Sequence, residues 1–253
     1  MNSKKNPTSW GTVAEWYQDH LEENTQSYHQ QVILPNLLRL LALKKGDKVL
    51  DLACGQGFFA KEFVKTGAIV TGVDIASELI EFAKKNVPGA RFYTSSAHEL
   101  GFLKSDEVDA IALVLAVQNI ENVPDVLREC GRVLRPQGRL MIVMNHPVFR
   151  IPKESSWGWD ENEKVQYRRV DQYLTESKTK IDMHPGKQST THTLSFHRSL
   201  QFYFKAFAKS GFVVSRLEEW ISHKKSQPGP RGKAEDRARK EIPLFLCLEL
   251  VKS

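Results

Sequence analysis

The sequence predicts an α/β domain built on a mainly parallel sheet, and three observations carry that expectation. Between about residues 48 and 145, short apolar runs alternate with segments of helical periodicity. Two of those runs, 108–117 and 139–144, are almost continuously apolar, as strands covered on both faces must be. The first run, 49–52, ends in a glycine-bearing turn that opens onto a helix.

The elements follow in order. Residues 9–43 have helical spacing, with Val13, Trp16, Tyr17, His20 and Leu21 on one face. A second apolar stretch follows from Val32 to Leu41, where Pro35 should restart or kink the helix. After strand 49–52, residues 58–66 form a helix closed by Gly67. Residues 68–73 are a strand and 77–87 a helix with Ser77 as N-cap, stopped by Pro88-Gly89. A short strand at 91–93, the strand 108–117, a helix at 123–134 and the strand 139–144 complete the alternation, with Pro136-Gln137-Gly138 as the turn before the last. Residues 146–198 break it. They hold Pro147, Pro152, Gly158, Pro185 and Gly186 among many polar residues, and read as an insertion with room for a hairpin. A helix at 199–210 and strands at 212–220 and 242–251 end the pattern. The polar linker 222–241, with Pro228-Gly229-Pro230, reads as a loop ending in a helical turn.

Composition narrows the function classes. In 253 residues, 41% are apolar and 26% charged, which suits a soluble globular chain. No run approaches the roughly 18 apolar residues that span a bilayer, and no apolar segment follows the polar Met1–Asn6, so neither a membrane span nor a signal peptide is expected. Cys54, Cys130 and Cys247 are too scattered for a disulfide framework or a zinc site, so a reducing cytoplasm and no metal are expected. The net charge of +6 is spread along the chain, and its densest cluster, 224–240, includes Glu235 and Asp236. A solvated loop explains that cluster better than a nucleic-acid surface does.

The segment Val49-Leu-Asp-Leu-Ala-Cys-Gly-Gln-Gly57 carries the chemistry. Gly55 and Gly57 let the backbone turn sharply and let a ligand approach it. Gly55-x-Gly57-x-x-Ala60 alone also fits a dinucleotide fingerprint. Asp51 separates the two readings, because a carboxylate there repels a pyrophosphate resting on the helix N-terminus. It suits a ligand with a cationic head, such as S-adenosylmethionine (SAM), whose ammonium it can position. The plainer alternative is that Asp51 caps the glycine turn. Asp74, in Val73-Asp74-Ile75, stands about 20 residues beyond the glycines, where an acidic residue accepts hydrogen bonds from ribose hydroxyls. Its plainer alternative is a helix N-cap.

With Ser96-Ala97 and Gly131-Arg-Val-Leu-Arg-Pro-Gln-Gly138 added, the chain resembles the class I SAM-dependent methyltransferases, in particular the ubiquinone/menaquinone-biosynthesis-like, or methyltransferase type 11, branch. The resemblance runs from about Trp10 to Val251. It implies a Rossmann-like sheet of seven strands, mostly parallel, with the last strand antiparallel. Residues 1–43 and the insertion 146–198 both flank the sheet edge where the ligand should sit, so an N-terminal helical lid and a substrate cap are expected over a SAM-binding domain at 44–253. SAM would contact Asp51, Gly55, Gly57, Asp74, Ile75, Ser96, Ala97 and Val114. Ser96 stands where the family has a longer acidic or amide side chain, and Gln118 where many relatives have histidine or arginine.

Methyl transfer from a sulfonium needs the nucleophile held in line and water excluded, with a base for some acceptors. His146, just beyond strand 139–144, and His197, at the return of the insertion, are the candidate catalytic residues. Each has a plainer role as a backbone pin. Trp157, Trp159, Tyr167 and Tyr173 would wall an apolar substrate pocket or form a satellite core, and one of Arg168 and Arg169 would face it. The expected activity is methylation of a small molecule. An RNA or protein methyltransferase and a non-catalytic SAM-binding protein are the alternatives. The acceptor and the oligomeric state are not legible in the sequence.

Overall fold

A computed structural model describes residues 10–11, 26–182 and 192–252. Its centre is a seven-stranded sheet in the order β10-β11-β5-β4-β1-β2-β3. The strands are β1 (Lys48–Leu52), β2 (Ile69–Asp74), β3 (Arg91–Thr94), β4 (Val108–Val114), β5 (Leu134–Asn145), β10 (Phe212–Trp220) and β11 (Phe245–Lys252). β1 to β5 pair in parallel, and β11 lies antiparallel between β5 and β10. Strand order reverses between β1 and β4. In open α/β sheets the ligand crevice opens beyond the carboxyl ends of the strands at such a reversal.

Helices cover both faces: α1 (Leu34–Leu41), α2 (Phe58–Lys65), α3 (Ser77–Asn86), α4 (Val123–Val133), α5 (Leu200–Lys209) and α6 (Gly232–Glu241). On one face α1 and α2 pack Ile33, Leu37, Leu41, Phe59 and Phe63 over Val70 and Val143. On the other, α4 and α5 pack Leu127, Cys130, Tyr203 and Phe207 over Leu113 and Ile142. Pro35 lies in the first turn of α1, where a missing N–H is harmless, and a π-helical turn, His29–Ile33, precedes it. The second half of the expected lid is therefore core: Leu37 and Leu41 are fully buried, and Arg139 of β5 donates to the carbonyls of Leu40 and Leu41. Residues 12–25 of that lid lie outside the described residues.

The insertion forms two hairpins, β6 (Ser155–Asp160) with β7 (Val165–Val170) and β8 (Ser177–Asp182) with β9 (His192–His197). The second is tied to the loop after β4. Asn119 donates to the Leu194 carbonyl at 2.8 Å, and the buried Arg198 donates to the carbonyls of Ile120 and Glu121. The linker 222–241 holds a full helix, α6, rather than a helical turn. No helix among the described residues is long and apolar enough to cross a membrane.

Candidate functional site

A cleft of about 470 Å³ opens beyond the carboxyl ends of β1, β2 and β4. Of the residues that the sequence nominates for the cofactor, Gly55, Asp74, Ile75, Ser96, Ala97 and Val114 line it. Asp51 and Gly57 do not. Asp51 is buried at the floor, two residues before the lining residue Ala53. Gly57 turns its missing side chain the other way: with φ at +84°, a Cβ there would meet Val87, Ala83 and Phe92 at 3.2–3.4 Å. Its role is close packing of the turn against α3 and β3.

The turn is held by Asp74. One carboxylate oxygen accepts from the Gly55 amide at 2.9 Å and the other from the Ala76 amide at 2.9 Å. The residue that binds the backbone at the start of α3 is thus Asp74. Ser77, the expected N-cap, is the first residue of the helix, with its hydroxyl on Glu78. With the Ile75 amide also bound, the Asp74 carboxylate keeps a lone pair for a ligand hydroxyl. Burial raises its pKa above the usual carboxylate range, with the Ala76, Gly55 and Ile75 amides opposing.

Asp51 is in a harsher place. Burial raises its carboxyl to about 7; an amide hydrogen bond from Ala60 opposes this and the Asp74 charge adds to it. Its Oδ2 is buried without a hydrogen-bond partner. A buried, unpartnered carboxylate oxygen beside a cleft is what a cationic ligand group would satisfy.

Two lining residues that sequence reasoning missed carry backbone strain. Ala53 follows β1 with φ at +58°, and Leu115 follows β4 with φ at +52°. The Leu115 amide donates to the Val143 carbonyl at 2.7 Å, and Gln118 donates to the Leu115 carbonyl at 2.6 Å, which together hold the strained residue in place. His98, Asn119, Glu121 and Trp10 also line the cleft. Ser96 shares a hydrogen bond with His98 Nδ1 at 2.8 Å. None of these has a motif around it, because tertiary folding alone brings them to the rim.

The histidines stand elsewhere. Neither His146 nor His197 lines the cleft. Both are buried. His146 Nδ1 accepts from the Val148 amide at 3.3 Å, so the proton sits on Nε2, which donates to Glu219 at 2.8 Å. Burial holds its pKa below the usual value against the pull of Glu219. His197 Nε2 donates to the Tyr173 carbonyl at 2.8 Å. The aromatic residues of the insertion do not wall this cleft either. Trp157 lies under Arg168, Trp159 under Arg231, Tyr167 is exposed, and the Tyr173 hydroxyl accepts from the Leu200 amide. Of the two arginines, Arg168 turns inward to the Phe149 carbonyl and Arg169 pairs with Asp171 at the surface.

Residues 50–142 match the methyltransferase domain family Methyltransf_11. A protein of Haemophilus influenzae described as uncharacterized is 28% identical over 229 residues, covering 87% of each chain. The demethylmenaquinone methyltransferase of Thermotoga maritima is 37% identical over 99 residues, covering 38% of this chain and 43% of that one. The chain thus spans less than half the length of that relative. Among solved structures, a SAM-dependent methyltransferase from Mesorhizobium loti superposes with a TM-score of 0.68 at 24% identity, covering 85% of this chain and 96% of that one. The match runs from β1 into β5, the strands whose ends build the cleft, so this part of the chain matches a methyltransferase domain, and the whole has the fold of the SAM-dependent methyltransferase structure.

Proposed function

We propose that the chain methylates a small-molecule acceptor, with SAM in the cleft over β1, β2 and β4. One observation supports this most. Among the described residues, the cleft lining includes Asp74 and Glu121, the latter paired with Lys178, and no lysine or arginine, and Asp51, buried with one carboxylate oxygen unpartnered, stands two residues before the lining residue Ala53. That charge disfavours a pyrophosphate and favours a cationic sulfonium and ammonium ligand. When bound, SAM supplies a methyl group on a good neutral leaving group.

The residues divide the remaining work. Asp74 accepts the ribose hydroxyls while it fixes the glycine turn. Asp51 receives the ammonium. Ser96 and Ala97 border the adenine end. Val114, Leu79 and Val126 give the cleft apolar walls that exclude water. The second hairpin, pinned to the rim by Asn119 and Arg198, serves as the inner part of the substrate cap. His146 and His197 act as pins for the insertion, their ring nitrogens engaged by the fold.

Calorimetry with S-adenosylhomocysteine tests the cofactor reading. Asp74→Ala should weaken binding by about 1.5–3 kcal/mol, the scale of hydrogen bonds to a charged group. Wild-type protein that binds NADH there and no S-adenosylhomocysteine would sink the reading. Labelled SAM in a cell extract tests the acceptor class: label should enter the small-molecule fraction, and label confined to RNA or protein would overturn that part. His146→Ala should cost about 1–2 kcal/mol of stability, roughly 3–6 °C in Tm for a chain of this size. Its affinity for S-adenosylhomocysteine and its turnover should stay near wild type. A hundredfold loss of turnover in a stable variant would instead make His146 a general base.

A further inference from the structure

The carboxyl end of β5 carries a cationic centre that the cofactor does not use. β5 runs into a tight turn in which the His146 amide donates to the Leu244 carbonyl and the Arg150 amide to the His146 carbonyl, both at 2.8 Å. The His146 ring rests on Phe149, with centroids 4.8 Å apart. The turn is therefore fixed, and Arg150 leaves its end with an accessible side chain. Among the described residues its guanidinium has no hydrogen bond and no ion pair.

Arg168 of β7 comes to the same place. Its Nε donates to the Phe149 carbonyl at 2.8 Å and its NH2 to Ser155 Oγ at 2.8 Å, over the Trp157 ring. Among the described residues it too has no carboxylate partner. Arg150 and Arg168 lie within electrostatic reach of each other, and Tyr28 lies within reach of Arg150. Lys224 adds a third cation, 4.9 Å from the centre of the Tyr28 ring. Glu219, which reaches the same turn, is taken by His146. Arg168 binds the carbonyl of Phe149, the residue before Arg150, so two like charges share the end of this turn, where they repel and lose solvent. Crowding without a counter-charge is characteristic of a binding site rather than of a stability device.

We propose that Arg150, backed by Arg168, receives an oxyanion of the methyl acceptor, so that the acceptor is a small carboxylate or phosphate compound. This rests on the methyl-transfer reading above. It also agrees with the layout of the sheet. The cofactor cleft ends at β4, β5 runs parallel beside it, and a molecule anchored beyond the carboxyl end of β5 lies at the same edge of the sheet. The planar fork of Arg150 suits either oxyanion, and its tethered neighbour adds charge without moving.

The test uses the full-length protein saturated with S-adenosylhomocysteine and titrated calorimetrically with benzoate and with phenyl phosphate. At least one probe should bind saturably at millimolar concentration, and the better one identifies the oxyanion. Arg150→Gln should weaken that binding about tenfold or more. Arg169→Gln, which removes an exposed charge paired with Asp171, should leave it unchanged. If Arg150→Gln no longer holds S-adenosylhomocysteine, Arg150→Lys replaces it: it keeps the charge, loses the fork, and should still weaken binding severalfold. Neither probe binding, or equal binding by wild type and the Arg150 variant, overturns the proposal and leaves the cofactor reading intact. Failure of the wild type to bind S-adenosylhomocysteine overturns the cofactor reading instead.

Discussion

Asp51→Asn should stabilise the ligand-free protein at neutral pH and weaken its hold on the cofactor. The cause is the burial that lifts the carboxyl from an ordinary value near 3.8 to about 7. Between those values the folded chain retains a proton that the unfolded chain has released. The contribution is therefore most favourable below about pH 4 and falls as pH rises to about 7. A difference of about three units corresponds to about 4 kcal/mol lost across that window. The asparagine variant has no such titration, so wild type and variant should diverge as pH rises from 5 to 7.5, with the variant the more stable. In the proposed site the variant also loses the charge that receives the ammonium, and S-adenosylhomocysteine should bind at least tenfold more weakly. Thermal melts across pH and calorimetry measure both. Parallel Tm profiles for the two proteins would show that Asp51 does not carry this cost.

The second large effect concerns a slot for an aromatic ring. Gly72 of β2 pairs with Asp51 on one side and Phe92 on the other. A Cβ at Gly72 would stand 2.4 Å from the Phe92 ring and 3.0 Å from Cys54 Sγ. Gly57 borders the same ring, at 3.4 Å. The two glycines thus make room for Phe92, which closes the core below the glycine turn. Gly72→Ala should cost about 1–3 kcal/mol, and Gly72→Val more, because the Phe92 ring and the Cys54 thiol that a Cβ would meet are both buried. Tm should fall by roughly 3–9 °C for alanine. Phe92→Leu in the Gly72→Ala background should restore part of the loss, since the two changes share one contact. A Gly72→Ala protein as stable as wild type would show that the ring has another place to go.

The parts of this protein that could be read in its sequence are those with a period. β1 to β5 stand out because buried parallel strands are continuous apolar runs separated by amphipathic helices. α6 was hidden. Its sequence, Gly232 to Glu241, buries only Ala238, and its support is ion pairing of Arg239 with Glu235 and Asp236, so no apolar stripe marks it. The hairpins of the insertion were hidden for a related reason. β7 and β8 merely alternate between exposed and half-buried residues, so no buried apolar face marks them. Around the cleft, Gly55 and Asp74 stood out in the sequence because each ends or follows a strand in a short motif, and the fold joins them through the Gly55 amide. The partners that engage the histidines, Glu219 and the Tyr173 carbonyl, are 73 and 24 residues away, and sequence spacing cannot show them. Arg150 was missed because an arginine after a strand has no motif until the fold brings Arg168 beside it.

The place of β11 has a consequence for how the molecule is made. The seventh sheet strand to leave a ribosome is the one that fits between the fifth and the sixth. Until residues 245–252 emerge, β5 presents a bare edge of apolar residues, Leu140 to Met144, and β10 has nothing to pair with. The nascent chain can thus assemble its cofactor half early. It must carry an open, adhesive edge through the synthesis of the next hundred residues, a stretch in which a chaperone or a second nascent chain competes for the same hydrogen bonds.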